Sequence, residues 1–524
     1  MMGCSGEIGP SNGDGDGTGG GTEALAAPHV RRLTAVQYGN TVRYALGDIF
    51  TEEQLPKFED DVSTIGFSNN PYALRVSTIN IDSIYASTGT LAGLAATETP
   101  AVAQCVAATG EACFDALVEE LGLKLWRRPL TAEEKADLHA MRAAVAAAPG
   151  TRAEQAEFLV QALLASPHML YRAELGTLAR NRAELTDYEL ASALSYSLWN
   201  FPPDDELLRV AAAGTLREPD TFAAQSRRMA QDPRWAGSLR EFFVDYLKFG
   251  LLKDKTKSPT LGLTTEVREA LVAGASADLE EVFLQPGATL LAPFSLNRFR
   301  ANASSAPFLG LSAEGANFSP VPVAAAERHG ILSHPAFLSV HSGEGESGII
   351  KRGVYTLEQL LCVHLGNPPD NISPREDLPA DFDPEKLTSR EVLSIRHSSQ
   401  STCKGCHQMI DPAGFGYENY DAAGRFRLQE KGTIRIDASG TLAAGAEQLS
   451  FQDSVSFVRT LGNSRRLREC LAEKFLTYML GEPPSEDERT AFVERFDGSA
   501  GAVSQLAGIL VNTPSFKTRQ PEAP

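Results

Sequence analysis

The chain has 524 residues, with 48 lysines and arginines against 67 acids, for a formal net charge of −19 at pH 7. That balance argues against a nucleic-acid partner, because phosphate binding needs a basic stripe, and the basic residues here are scattered apart from short pairs such as Arg31–Arg32 and Arg127–Arg128. An apolar fraction of 43% supports several buried cores, and the longest apolar stretches carry charges inside them, which excludes a plain membrane span.

Residues 1–27, MMGCSGEIGPSNGDGDGTGGGTEALAA, form a Gly-, Asp- and Ser-rich tether. Gly3-Cys4 followed by such a tether resembles the cleavage site of a bacterial lipoprotein, in which Cys4 carries the lipid. On that reading the apolar signal segment lies upstream of Met1; the alternative is a tail with a stray cysteine.

Beyond the tether the pattern predicts a mainly α, multi-module protein. Leu-Thr followed three residues later by Glu or Gln recurs as Thr34–Gln37, Thr131–Glu134, Thr186–Glu189 and Thr388–Glu391. Each is a capping box: the threonine oxygen accepts from the amide three residues on, and the longer side chain reaches back. TDYELASALSYSLW sets Tyr188, Leu190, Leu194, Leu198 and Trp199 on one broad helical face. RLRECLAEKFLTYMLG stacks Leu467, Leu471, Phe475 and Met479 and stops at Gly481, before Pro483 and Pro484. Strand signals are few; GTIRIDASGTL predicts a short hairpin over 432–442 with its turn at Ala438–Gly440. Breaks are expected near 95–102, 147–152, 299–326 and 366–388, the last a Pro- and Asp-rich linker or loop.

Seven cysteines follow a pattern. Cys105 and Cys113 bracket a short loop with Gly110, a spacing suited to a local disulfide. With Cys4 assigned to lipid and Cys403 and Cys406 to their own motif, Cys362 and Cys470 remain as a second pair. This parity fits an oxidising compartment; the alternative is unpaired, buried thiols acting as small hydrophobes.

STCKGCHQMIDP, residues 401–412, holds Cys403, Cys406 and His407 as C-x-x-C-H. Two thiols at this spacing add across the two vinyl groups of one porphyrin, and the adjacent histidine becomes the proximal iron ligand. Zinc would need two more ligands, which Cys362 and Cys470 supply in principle. A redox dithiol usually follows a strand and opens a helix, whereas here a loop precedes the motif and a break is expected at Pro412.

STCKGCHQMIDPAGFGYENYDAAGRFR resembles the signature of a family of secreted planctomycete and myxobacterial cytochrome-c-like proteins built from consecutive modules of unknown function. RRLTAVQYGNTVRYALGD, LGLKLWRRPLTAEE, SPHMLYRAELG with LTDYELASALSYSLWNFPPDDELL, ERHGILSHPAFLSVHSGEGESGIIKRGVYTLEQLLC and LRECLAEKFLTYMLG match its modules in order. The resemblance implies export and one covalent haem c, and carries no known reaction. The chain departs from many relatives at Gly348–Gly353, where a Ser-Pro usually precedes the Arg-Gly. The expected organisation is a tether at 1–27, helical modules at 28–98, 99–165 and 166–300, a CxxCH haem-binding module at 301–430 and a C-terminal helical module at 431–524.

Six of the nine histidines lie between 329 and 407: His329, His334, His341, His364, His397 and His407. His397 and His341 match histidines common in the resembling family and are the candidate distal ligands; a cap or a surface residue is the alternative for each. Met409 is too close to His407 to cross the ring, and Met479 sits on a helix able to pack against the haem. Arg425 is a candidate partner for a propionate. GEGESG at 343–348 is not a dinucleotide loop, because no strand–helix–strand surrounds it and Glu344 and Glu346 would repel a pyrophosphate. Asp204 and Asp205 read as helix N-terminal acids, and His168 as structural.

The sequence thus points to an exported c-type-haem protein, in the periplasm or held at the outer membrane through Cys4. It would pass electrons to or from a redox partner protein or a membrane electron carrier. The alternatives are a haem oxidoreductase with an open iron site, and a non-haem extracytoplasmic binding or scaffold protein whose CxxCH holds zinc or a disulfide.

Overall fold

Hydroxyl N-caps start helix after helix. The computed structural model describes residues 29–58, 66–70, 74, 76–148, 150–179, 182–366, 382–399 and 401–520, with backbone alone at 29, 79, 398–399 and 401–403. Cys4, the tether and most of the expected linker at 366–388 lie outside the described residues. All four expected capping boxes form, at Thr34, Thr131, Thr186 and Thr388. Ser77 with Asn80 and Thr151 with Glu154 add two more, opening helices Thr78–Glu98 and Arg152–Ala165.

The chain is mainly helical, with short strands in small sheets. Two of the pairings are long-range. His29–Arg32 runs antiparallel to Tyr171–Glu174, and Thr518–Arg519 runs antiparallel to Arg182–Glu184. Arg519 also pairs with the buried Glu174, which faces Arg172 at 3.2 Å. Both ends of the described chain are therefore tied to its middle.

Two large cores result. One takes Leu33 to Leu170 and Tyr196, and combines helices Ala35–Leu46, Thr78–Glu98, Pro100–Ala107, Ala112–Trp126 and Arg152–Ala165. The other runs from Phe67 and helix Asp187–Trp199 to Phe516. Segments 28–98 and 99–165 thus share one core, and 431–524 packs into the same core as 166–300. Phe475, for example, meets Phe242 edge-on at 5.4 Å and Trp235 at 6.4 Å.

Helix Arg465–Leu480 buries Leu467, Leu471, Phe475 and Met479 and ends at Gly481, whose φ of 76° closes it as expected. Helix Asp187–Trp199 is buried nearly all round rather than on one face. The disulfides Cys105–Cys113 and Cys362–Cys470 are both present.

The hairpin expected over 432–442 is instead two hairpins. Gln429–Glu430 pairs with Ile434–Arg435 and turns through Lys431 and Gly432, at φ 48° and 83°. Gly440–Ala444 pairs with Glu447–Phe451 and turns at Gly445, at φ 64°. Gly440, expected in the turn, starts a strand; the left-handed positions that reverse the chain lie on either side of it.

Candidate functional site

CKGCH lies on helix Ser401–Phe415, which continues through Pro412 rather than breaking there. The proline ring removes one N–H and deprives the carbonyl of Gln408 of its partner, and Gln408 is exposed, so water can replace the lost bond. The helix is fixed by close contact with helix Ile349–Tyr355. A Cβ at Gly414 would lie 2.2 Å from the Ile349 carbonyl oxygen, and one at Gly353 would lie 2.4 Å from that of Ile410. The Arg-Gly of the fourth module and the AGFG after the motif are therefore one packing feature.

Arg352 locks the loop beyond this helix. It is fully buried, and its guanidinium donates to the carbonyls of Tyr417, Tyr420, Leu338 and Asp421 at 2.8–3.3 Å. Burial pushes its pKa down to about 10, with the carboxylate of Glu418 opposing the shift. Arg425 donates through Nε to Asp421 Oδ2 at 2.8 Å, while Asp421 Oδ1 accepts the amides of Ala423 and Arg425. This arginine is thus engaged in shaping the 421–425 turn.

The chemical centre is a cluster of His397, His407 and Asp411. Helix Ser389–Ser399 brings His397 against the CxxCH helix. His407 Nδ1 lies 2.9 Å from Asp411 Oδ1, and His397 Nδ1 lies 2.6 Å from Oδ2 of the same carboxylate. The two imidazoles lie face to face, centroids 3.5 Å apart with 24° between planes. An ionised carboxylate only accepts, so both rings carry their hydrogen on Nδ1. That arrangement leaves Nε2 of each ring as the nitrogen a metal would take.

Cys406, one residue before His407, is a free and half-buried thiol. The Cys403 backbone lies on the same helix; its side chain is outside the described residues. Cys362 and Cys470 are consumed by their disulfide and are not available to complete a zinc site. The free thiol of Cys406 and the adjacent His407 would suit one thioether bond and the iron ligand of a covalent haem c, and the second thioether would fall to Cys403.

The other candidates are placed elsewhere. His341 Nε2 is 3.2 Å from the Leu247 carbonyl, its ring lies against Tyr355 at 3.9 Å, and burial pushes its pKa down to about 3. His397, expected as a distal ligand, stacks on His407, expected as the proximal one. Both rings contact the same carboxylate, and His397 as placed covers one face of the His407 imidazole. His334 caps helix Pro335–Val340 through Nδ1, and Met479 is buried in the large core. His168 lies over Trp126 and faces Glu134, and Asp204 caps helix Asp205–Ala212 while pairing with Arg228, both as expected. In the GEGESG loop, Lys257 Nζ donates to Ser342 Oγ at 2.5 Å and to the Gly343 carbonyl at 2.8 Å. Sequence reasoning missed Asp411 and the anchoring role of Arg352. Asp411 had a signal, since i,i+4 from His407 puts both on one helical face.

Four family models match the chain in succession, each described as a protein of unknown function: PSD3 (DUF1587) over 31–97, PSD5 (DUF1595) over 113–174, PSD4 (DUF1592) over 185–311 and PSCyt3 (DUF1588) over 328–430. No curated protein and no solved structure matches. The chain thus carries four consecutive modules of this kind, and the last contains every residue of the cluster, with Arg352 and Arg425.

Proposed function

We propose that the fourth of these modules binds one c-type haem covalently and that the chain is an exported electron-transfer protein. The observation that carries this reading is the pairing of His407 Nδ1 with Asp411, beside the free thiol of Cys406 on the same helix. Cys403 and Cys406 would hold the haem through thioether bonds, and His407 would be the proximal ligand through Nε2. When bound, the haem supplies one-electron transfer. The protein's own part is to fix the histidine tautomer, shield one side of the ring with the His397 imidazole, and hold the helix rigid against Ile349–Tyr355.

Export is supported by the two disulfides, which persist in oxidising compartments, and by the lipoprotein-like Cys4. Among the described residues no helix is long and apolar enough to cross a membrane. A lipid on Cys4 would tether the protein at the outer membrane or leave it facing the periplasm, within reach of a redox partner protein or a membrane electron carrier.

A second reading, an oxidoreductase with an open iron position, is favoured by the placement of the expected distal ligands. His397 stacks on His407, His341 is hydrogen-bonded to the Leu247 carbonyl, and Met479 is in the core. The decisive experiment is expression in a host competent for haem c maturation, with a pyridine haemochrome spectrum and intact mass. One added haem is expected. An unmodified peptide spanning 403–406, or stoichiometric zinc in its place, overturns the reading. Carbon monoxide binding by the reduced protein then selects the open-iron alternative, and its failure to bind selects electron transfer.

A further inference from the structure

We infer that Asp411 sets how strongly His407 donates electrons to iron, and that His397 tempers this by sharing the same carboxylate. The inference rests on the haem reading above and extends it to the control of potential.

Asp411 has two oxygens and each takes one imidazole: Oδ1 faces His407 at 2.9 Å and Oδ2 faces His397 at 2.6 Å. A ring that donates its Nδ1–H to a carboxylate acquires imidazolate character and becomes a stronger ligand through its other nitrogen. The stronger ligand favours ferric over ferrous iron, so the midpoint potential falls. Asp411 is buried, so water does not dilute the effect. The second donor changes its size. His397 makes the shorter of the two contacts and draws charge toward Oδ2, which leaves Oδ1 a weaker acceptor for His407. His397 and Asp411 are therefore positioning residues: neither touches the iron, and both act through His407.

The arrangement predicts opposite signs for two substitutions. In the full-length, haem-loaded protein, Asp411→Asn removes the carboxylate and should shift the midpoint potential positive. The expected change is about tenfold in the ferric-to-ferrous ratio at fixed potential, equivalent to about 59 mV for a one-electron couple. His397→Phe keeps a ring stacked on His407 but removes the competing donor, and should shift the potential negative by roughly threefold in the same ratio. The double variant should match Asp411→Asn, because phenylalanine keeps the stacked ring and the carboxylate through which His397 competes is gone.

Potentiometric titration followed by absorption reads all three, with haemochrome and mass confirming one haem in each. Shifts of the same sign, or none, overturn the inference while the haem reading stands. A wild-type chain without haem overturns the haem reading and this one together. If Asp411→Asn alone fails to acquire haem, His397→Phe decides: a positive or absent shift overturns the proposal, and a negative one supports it.

Discussion

The Arg352 guanidinium donates to four carbonyl oxygens, from residues 338, 417, 420 and 421. Arg328 repeats the device on the carbonyls of Phe308, Leu309, Ser333 and Gly424, and Arg127 on those of Leu125, His168, Met169 and Tyr171. Only a planar fork reaches so many acceptors from one point. Arg352→Ala should therefore cost about 3–5 kcal/mol, and Arg352→Lys should recover little of it; urea unfolding followed by circular dichroism checks both. None of this is legible from the sequence, since the acceptors are backbone atoms as much as 96 residues away. His334 offers a test by pH. Burial, then the nearby charge of Arg328, pushes its pKa down to about 3 from 6.5. The folded state keeps this ring neutral while the unfolded chain protonates it. Its stabilisation is therefore complete above pH 6.5 and is lost as pH falls toward 3. From well above pH 6.5 down to pH 4.5 the loss should approach about 2.7 kcal/mol, with His341, also lowered to about 3, acting in the same direction. His334→Asn retains a capping side chain, so the melting temperature of that variant should fall less steeply with acid than that of the wild type.

Helices were the elements the sequence could announce, because their start signals are local. Thr186 and Glu189 lie within one turn, and the box they form can be read from four residues. Thr186→Ala should cost about 1 kcal/mol in a urea midpoint measurement. The short strands have no such signal: His29–Arg32 finds its partner at 171–174, and the 429–435 turn depends on Lys431 taking a left-handed conformation. The disulfides lie between these cases. Cys105 and Cys113 are eight residues apart and bracket a visible loop, whereas Cys362–Cys470, separated by 108, followed from cysteine parity. The longer bridge ties the end of the segment beginning at Ile349 to helix Arg465–Leu480, and its loop encloses the whole CxxCH helix. By chain-entropy scaling its removal should cost about 4–5 kcal/mol, against about 2–3 for the short loop. Paired Cys→Ala variants compared by urea midpoint should preserve that order. A smaller effect for the long bridge would mean that its unfolded reference state retains structure.

At the scale of the molecule, the order of the modules was legible and their interdependence was not. Signature stretches lie along the chain one after another, but burial is decided by contacts no stretch contains. Helix Ala112–Trp126 buries Phe114, Leu117, Val118, Leu121 and Leu125 in a core that also takes Tyr38, Val42, Leu91 and Ala95 from the segment before it. Helix Arg152–Ala165 gives Leu159, Val160, Leu163 and Leu164 to the same core, and Tyr38 donates its hydroxyl to the Leu164 carbonyl. A fragment of residues 99–165 would expose all of that surface, and its helices are at most 16 residues long, a length marginal for isolated helices in water. Expressed alone, it should show weak far-UV ellipticity and no sigmoidal urea transition, while the full chain retains both. A sharp, fully helical transition in the fragment would refute the shared-core argument. The same logic applies to the CxxCH segment, whose helix Ser401–Phe415 is held by Gly353 and Gly414 against a neighbour and, through Ile410 and Ala413, by the larger core. On the proposed haem reading, attachment should therefore be efficient in the full chain and poor in residues 328–430 alone, as the haemochrome yield per mole of each polypeptide would reveal.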